Sequence, residues 1–316
     1  MDSLSDIDKF GKILNSSAQP LKNRFRALFA LKSLGGSDAI RHISSSFGDS
    51  SALLKHELAY CLGQMQDQEA IPVLSQILSD ADEDPMVRHE AGEALGAVGD
   101  PSTLSLLERF STDPAPEVAE TCMLAHRRIA WLAEASHEHL SDNPYGSVDP
   151  APPQCVESSH SSKDSLVKRL EETLLDGNAC LWDRYRAMFS LRNMGGEAAV
   201  GALSKGLKCP ESALFRHEVA YVLGQMKSPL AIEALHASLA DSRENYMVRH
   251  ECAEALGSIG TDDCLEILQA YLADEERVVR ESCIVALDIT DYERSSDFDL
   301  TDVWSSSRAA VASAAS

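Results

Sequence analysis

The sequence is short of positive charge. Its 316 residues contain 28 lysines and arginines against 50 aspartates and glutamates, which gives a formal net charge of -22. A protein that binds nucleic acid needs a basic face to neutralise phosphates, so this deficit argues against DNA or RNA as a partner. An acidic surface attracts cationic groups, and we expect a basic partner or substrate. The alternative is that the acidity only keeps the protein in solution.

Long apolar runs and paired cysteines are also missing. No stretch of about 18 uncharged apolar residues occurs, so no membrane span is expected. The first residues, MDSLSDIDKF, lack the basic and apolar segments of a secretory leader. The eight cysteines include no CxxC pair. They indicate small core residues in a reducing compartment, not disulfides or a thiolate metal site, and we expect a cytoplasmic protein.

What is present is a duplication. The segment ALLKHELAYCLGQMQ (52–66) returns as ALFRHEVAYVLGQMK (213–227), with 10 of 15 positions identical. MVRHEAGEALGAVG (86–99) returns as MVRHECAEALGSIG (247–260), with 10 of 14 identical. Both pairs have the same offset in residue number, and in a third pair, which begins NRFRALF and DRYRAMF, the offset is smaller by one. The chain therefore contains two copies of one unit.

A shorter period lies inside each copy. The interval in sequence from His56 to His89 equals the interval from His217 to His250. Each period holds two short apolar runs separated by a break that contains Pro, Asp or Ser, which is typical of a helical solenoid. Alternating strand patterns and the signatures of ankyrin and tetratricopeptide repeats are absent. We predict an all-α, HEAT-like helical-repeat solenoid in two duplicated halves.

The composition sets the predicted boundaries. We place the N-terminal half at residues 1–135 and the C-terminal half at residues 165–294. Residues 136–164, rich in Pro, Ser, Gly and Asp, are predicted to be an exposed linker. The Ser- and Ala-rich end, 295–316, is predicted to be a disordered tail.

Each half carries two His-Glu dipeptides on predicted helices. At 100° per residue, His56 lies opposite the apolar stripe that includes Leu54, Leu58 and Leu62. All four histidines are followed at +3 by a small residue and at +7 by glycine. A glycine within a helix is unfavourable, so the pattern indicates that something approaches this face. The alternative is that the glycines only allow close helix packing or end the helices, as Gly99 and Gly260 are expected to do.

The spacing of the histidines suggests a metal site. Consecutive repeats stack about 10 Å apart, so His56 and His89 can meet on one ligand between them. With Glu90 they supply two imidazoles and one carboxylate, a set suited to iron with open positions for oxygen. The second half repeats this set with His217, His250 and Glu251. Two such halves that face each other across a pseudo-twofold axis would bring two metals together.

Other chemistries find less support. No histidine follows a His-Glu pair at the spacing of the zinc proteases, no cysteines lie nearby, and the Glu-x-x-His pattern of di-iron helix bundles is missing. We find no phosphate-binding glycine loop, no dinucleotide fingerprint and no plausible Ser/His/Asp set.

At these residues the chain resembles the deoxyhypusine hydroxylases, which are HEAT-repeat di-iron monooxygenases. The motifs KHELAY, VRHEAGEALG, RHEVAY and VRHECAEALG carry the resemblance, which spans roughly residues 5 to 290. It implies two iron ions, dioxygen as co-substrate, and hydroxylation of the deoxyhypusine side chain of a translation factor to form hypusine. We expect a monomer.

The resemblance also implies roles for individual residues. It assigns one iron to His56, His89 and Glu90 and the other to His217, His250 and Glu251. Glu57 and Glu218 would hold the protonated amines of the long substrate side chain. We further hypothesise, from their place on the histidine face, that Gly63 and Gly224 leave room for dioxygen.

Two rival functions use the same residues. One is a metal-free HEAT-repeat scaffold that binds partner peptides along its concave face, although a scaffold gives no reason for four His-Glu pairs with glycine at +7. The other is a hydrolase with two zinc or manganese ions on the same ligands. Metal analysis would separate all three.

Overall fold

The computed structural model describes residues 5–134, 143–154 and 162–294. The helices of the first half are α1 (Asp6–Leu14), α2 (Leu21–Leu34), α3 (Gly36–Ser44), α4 (Ala52–Met65), α5 (Ile71–Ser79), α6 (Pro85–Val98), α7 (Leu104–Phe110) and α8 (Pro116–Glu134). Those of the second half are α9 (Lys163–Leu175), α10 (Leu181–Met194), α11 (Glu197–Gly206), α12 (Ala213–Met226), α13 (Ile232–Ala240), α14 (Tyr246–Ile259), α15 (Asp262–Ala270) and α16 (Arg277–Arg294). No strand occurs among the described residues, and the all-α prediction is confirmed.

The helices alternate between an outer and an inner layer. In the first half α2, α4, α6 and α8 stack side by side, while α1, α3, α5 and α7 pack on their outer side. The second half repeats the order, with α10, α12, α14 and α16 on the inside. Each inner helix with its outer partner forms one repeat, as the predicted HEAT-like solenoid requires. In the part of the chain that the structure describes, no helix could cross a membrane.

Local sequence fixes where the inner helices begin and end. The Ser51 hydroxyl accepts a hydrogen bond from the amide of Leu54 at 3.1 Å and so caps α4, and Asp84 caps α6 in the same way. Gly99 and Gly260 end α6 and α14 in the left-handed conformation, with φ of 77° and 65°. The expectation that these two glycines are C-terminal caps is confirmed.

A buried arginine ties each of four inner helices to its outer partner. Arg88, at the start of α6, donates its Nε proton to the carbonyl of Leu78 at the end of α5 and pairs with Asp113 at 2.6 Å. Three further arginines at matching positions bond to the carbonyl ten residues before them in the sequence: Arg24, Arg184 and Arg249. These links set the position of each inner helix along its outer neighbour.

The two halves meet at both ends. Helix α8 packs against α10 and α12, and α16 packs against α2 and α4. Matching hydrogen bonds close the two seams: Ser51 donates to Glu281 at 2.6 Å, and Ser212 donates to Glu120 at 2.5 Å. The inner helices therefore form a closed ring with a pseudo-twofold axis, and their inner faces point at one another.

Within each half, the inner helices approach closely at the +7 glycines. A Cβ atom at Gly63 would lie 2.7 Å from the Cα of Ala94 on α6, and one at Gly224 would lie 2.9 Å from the Cα of Ala255 on α14. The glycines one repeat further on meet the next inner helix in the same way. The neighbouring helix therefore accounts for the lack of a side chain at both glycines, as the close-packing alternative expects, although Gly224 also lines a cavity. Our hypothesis that Gly63 and Gly224 leave room for dioxygen stays a prediction.

Residues 143–154, which we name the strap, cross between the halves. Gln64 of α4 accepts a hydrogen bond from the amide of Val148 at 2.9 Å and donates one to its carbonyl at 3.3 Å. On α10, the guanidinium of Arg192 donates to both carboxylate oxygens of Asp149, at 2.8 and 2.6 Å. The strap is thus bound to both halves.

Within the predicted exposed linker at 136–164, strap residues 150–153 are instead buried, whereas Pro144 and Gly146 are exposed. Ala151 is buried, and Asp149 keeps only 8% of its side chain exposed because its partner Arg192 is fully buried. The composition identifies a loop, but its binding partners lie far away in the sequence and leave no local signal. The rest of the predicted linker, apart from the residues next to α9, and the predicted tail at 295–316 lie outside the described residues.

Filling the contact at Gly63 should destabilise the fold. We expect Gly63→Ala to lower the free energy of unfolding by about 1–3 kcal/mol, because the added methyl group overlaps the backbone of α6. Chemical denaturation measures the change. Gly201 on α11 is the control, because a Cβ atom there would meet no atom within 4 Å beyond the backbone of its own helix. Gly201→Ala should raise stability by about 0.5–1 kcal/mol. Equal stability of the two variants would contradict the packing explanation.

Removing the buried cation under the strap should destabilise the fold more strongly. Arg192→Met leaves Asp149 without its partner, and we expect a loss of about 3–5 kcal/mol in the free energy of unfolding. The exposed pair of Arg243 and Asp241 is the control, since 88% of the Arg243 side chain is accessible. Arg243→Met should change stability by about 0–1 kcal/mol. A similar small change for Arg192→Met would show that the strap is not held as described.

Candidate metal centre

The four histidines of the His-Glu pairs lie on four inner helices. His56 is in the second turn of α4 and His89 in that of α6, while His217 and His250 hold the same places in α12 and α14. The apolar stripe of α4 is buried against neighbouring helices, as predicted, with Leu54, Leu58 and Leu62 fully covered. Each histidine therefore points away from that packing face and into the ring.

The closed ring brings the four imidazoles into one cluster. Ring centroids are 5.4 Å apart for His56 and His89 and 5.3 Å apart for His217 and His250. Across the pseudo-twofold axis the distance is 5.1 Å for His56 and His250 and 5.4 Å for His89 and His217. The prediction that the two pairs meet across the halves is confirmed.

A carboxylate accompanies each pair. Glu90 lies 3.3 Å from the Nε2 atom of His56, and Glu251 lies 3.4 Å from the Nε2 atom of His217. Nitrogen and oxygen atoms of His56, His89 and Glu90, the first predicted ligand set, lie within 4.8 Å of one another.

The second predicted set is grouped differently. Ligand atoms of His250 and Glu251 come within the same 4.8 Å together with those of Glu254, and His217 is grouped instead with His56 and His250. The assignment of individual ligands to each iron stays a prediction.

The imidazoles have no hydrogen-bond partners. His89 and His250 are fully buried, His56 is 3% and His217 is 5% exposed, and none of the eight ring nitrogens makes a hydrogen bond. Carboxylate oxygens of Glu90, Glu251 and Glu254 lie only 3.3 to 3.5 Å from three of the four rings. A buried polar atom without a partner costs about 1–3 kcal/mol, so such a cluster points to a bound ion. Imidazole nitrogens and carboxylate oxygens are ligands that iron accepts, and the residues fit the implied metals.

Electrostatics inside the cluster differ from one imidazole to the next. Burial, reinforced by the neighbouring imidazoles, holds the pKa of His89 and of His250 well below its ordinary value. Burial also lowers the pKa of His56, but the charges of Glu90 and Glu57 outweigh it and place that pKa well above the ordinary value. Neutral imidazole is the form that binds a metal, and His89 and His250 are held in it.

A cavity of about 320 Å³ opens next to the histidines. It extends toward the C-terminal ends of the inner helices, where Gln64, Gln225 and the strap line it. Seven carboxylates line this cavity: Glu57, Glu90, Glu93, Asp149, Glu218, Glu251 and Glu254. So many acidic groups around one small space favour a cationic ligand.

Glu57 and Glu218, the predicted substrate-binding residues, lie in this cavity and are buried. The Oε1 atom of Glu218 has no hydrogen-bond partner. Burial, and then the charges of Glu93 and Asp149, raise the pKa of Glu218 well above its ordinary value. A cation that paired with Glu218 would relieve this destabilisation. Their role in holding substrate stays a prediction.

Our sequence reasoning missed Glu93 and Glu254. Each follows its histidine at +4, one helical turn on, and the two occupy the same place in the two copies of the duplicated unit. Burial comes first and neighbouring carboxylates second in raising the pKa of both well above the ordinary value. On α4 and α12, the other two helices that carry a histidine, Tyr60 and Tyr221 occupy the +4 position, and their hydroxyl oxygens are 3.1 Å apart. The repeat offset together with the one-turn spacing could have revealed all four.

Comparisons with known proteins agree with the repeat pattern. The model of the HEAT repeats family matches residues 40–125 and 240–316, and the model of the PBS lyase HEAT-like repeat matches 183–209 and 215–241. The deoxyhypusine hydroxylase of Rattus norvegicus is 58% identical over 297 residues, which cover 94% of this chain and 95% of the rat protein. The Drosophila melanogaster deoxyhypusine hydroxylase is 53% identical, with 96% of this chain and 97% of the fly protein covered.

A solved structure agrees as well. The structure of human deoxyhypusine hydroxylase in complex with glycerol matches this fold with a TM-score of 0.85 and 57% sequence identity. The match covers 91% of this chain and 96% of the human chain. The resemblance carried by the four His-Glu motifs is confirmed over nearly the whole length, and the chain belongs to the deoxyhypusine hydroxylase family.

Proposed function

We propose that this protein hydroxylates the deoxyhypusine side chain of a translation factor, with two iron ions and dioxygen, and so forms hypusine. The observation that carries the proposal is the cluster of four buried imidazoles without hydrogen bonds, which lies beside a cavity lined by seven carboxylates. Membership of the deoxyhypusine hydroxylase family supports the same activity.

The rival functions fit the site less well. A metal-free scaffold needs an exposed concave face, whereas His89 and His250 are fully buried inside a closed ring. Eight buried ring nitrogens without hydrogen bonds would lower the stability of such a scaffold, and no ligand would compensate for the loss. A hydrolase with zinc or manganese could use the same ligands, and the metal that is bound decides between it and the hydroxylase.

The iron ions, once bound, would supply from dioxygen the oxidising power that hydroxylation of an unactivated carbon requires. His56, His89 and Glu90 would hold one, and His217, His250 and Glu251 the other. The chain's other residues position the substrate. Deoxyhypusine is a lysine side chain extended by an aminobutyl group, so it carries two protonated amines.

Two carboxylates in the cavity suit these amines. Glu57 and Glu218 are equivalent in the two halves and lie next to the histidines on either side of the pseudo-twofold axis, so each can pair with one ammonium group. The carbon between the two amines would then lie beside the metals. Because these carboxylates are buried, bulk water is excluded and the charge pairing is strengthened.

Metal content tests the centre directly. We expect the purified protein to bind iron at about two ions per chain, the stoichiometry of a dinuclear site. His89→Ala removes a ligand and should lose at least one of them, with helicity by circular dichroism almost unchanged. His236 on α13, which contacts Tyr271 instead, is the control, and His236→Ala should keep its iron. Bound zinc or manganese without iron would favour the hydrolase, and no metal at all would favour the scaffold.

Neutralising the substrate carboxylates should separate binding from metal loading. We expect Glu57→Gln and Glu218→Gln each to raise the KM for the deoxyhypusine-bearing factor by about tenfold or more, because each removes a charged hydrogen bond to an amine. Iron content should stay that of the unmodified protein. Glu233→Gln, at an exposed position of α13, is the control. If iron is lost while the KM is kept, these residues are metal ligands instead.

A further inference from the structure

The duplication gives the mouth of the cavity two equivalent sides, and the strap covers one of them. Gln64 and Gln225, in the last turns of α4 and α12, mark this mouth. The strap binds to both: Val148 bonds to Gln64, and the Ser147 hydroxyl accepts a hydrogen bond from Gln225 at 3.1 Å. A further contact comes from Arg128 on α8, which donates to the carbonyl of Asp149 at 2.9 Å. The side next to α8 and α10 is therefore covered.

The equivalent side, next to α2 and α16, lacks such a cover among the described residues. In the first copy of the duplicated unit, Lys32 stands at the position that Arg192 holds in the second copy. Where Arg192 is bound by Asp149 of the strap, the Lys32 ammonium lies over the rings of Phe29 and Tyr60, at 5.3 and 5.4 Å. Ile289 of α16 completes this rim and is 36% exposed.

The positions of two cavity carboxylates, Glu254 and Glu218, indicate from which side a cationic side chain enters the cavity. Glu254 lies toward the open side, where Ser282 of α16 donates to it at 3.3 Å. Glu218 lies on α12, which packs against α8 and α10 on the covered side, and its Oε1 atom is buried without a hydrogen-bond partner. A cation that is to reach this oxygen cannot come through the strap. Among the described residues only the side next to α2 and α16 is left uncovered, so such a cation enters there and is carried on a chain long enough to cross the cavity.

We propose that the protein substrate docks over α2 and α16, on the open side of the mouth, and inserts its extended side chain there. The terminal ammonium then points toward Glu218 and the strap, while the amine nearer the substrate backbone lies at Glu57. The strap makes an internally symmetric cavity accept its substrate in one direction only. This proposal rests on the function proposed above.

Substitution at the rim tests the docking surface. We expect Ile289→Arg to weaken binding of the deoxyhypusine-bearing factor about tenfold or more, measured as Kd by fluorescence anisotropy, because it places a cation in the path of a cationic chain. Ile284 is the matched control, since it lies on the same helix and is 42% exposed. It precedes Ile289 by five positions. At 100° per residue, this spacing places the two side chains about 140° apart around the axis of α16, on different faces. Ile284→Arg should leave the Kd unchanged, and iron content and Tm should be the same in both variants.

A second control addresses the covered side. Leu132 on α8 is 40% exposed, and Leu132→Arg should also leave the Kd unchanged. If Ile289→Arg binds like Ile284→Arg, or if Leu132→Arg weakens binding as much as Ile289→Arg, the proposal is overturned. A wild-type protein that contains iron but does not hydroxylate the factor contradicts the proposed function. That failure is separate, because the comparison of Kd values does not depend on turnover.

Discussion

The four imidazoles can meet only because neighbouring inner helices pack backbone against backbone. A glycine in the last turn of each histidine-bearing helix lets the next inner helix approach until an alanine of that helix lies where the glycine's side chain would be. Close, regular stacking then holds the ring centroids of one half 5.4 Å apart and those of the other 5.3 Å apart. On α6 and α14, Arg88 and Arg249 bond to the outer helices and directly precede His89 and His250, so they fix the axial positions of these two histidines. The site thus depends on packing that lies outside it.

The same packing places unfavourable charge at the centre of the ring. Buried imidazoles without hydrogen bonds, and the buried Glu218 oxygen without a partner, lower the stability of the fold on their own. The apolar stripes of the helices are buried on the other side and offset this loss. Such a division is typical of a binding site: the core supplies the stability, and the pocket is left with groups that only a ligand can satisfy. Metal ions and a cationic side chain would be ligands of the right charge.

Much of this arrangement could be predicted from the sequence, and the reasons differ from residue to residue. The short period within each half and the long period between halves predicted the repeats, and the helical rotation of His56 relative to Leu58 predicted that the histidine points away from the packing face. The glycines at +7 led us to predict that something approaches the histidine face, but what approaches Gly63 is Ala94 of the next helix, the close packing that we had kept only as the alternative. Asp149 looked like an ordinary loop residue because its partner, Arg192, is 43 residues away. Glu93 and Glu254 were missed because they lie inside the same segments as the His-Glu pairs, and we considered only the glutamate next to each histidine.

The two seams have a consequence for how the centre assembles. Contacts within a solenoid are local, so each half can order itself repeat by repeat. The seam between Ser51 and Glu281 instead joins residues 230 positions apart, and such long-range contacts form late because the chain must first lose much of its freedom. Since the histidines of both halves share one cluster, a metal bound there stabilises the closed ring, and the closed ring raises the affinity for the metal. Ring closure and metal binding are therefore linked equilibria, and each makes the other more favourable.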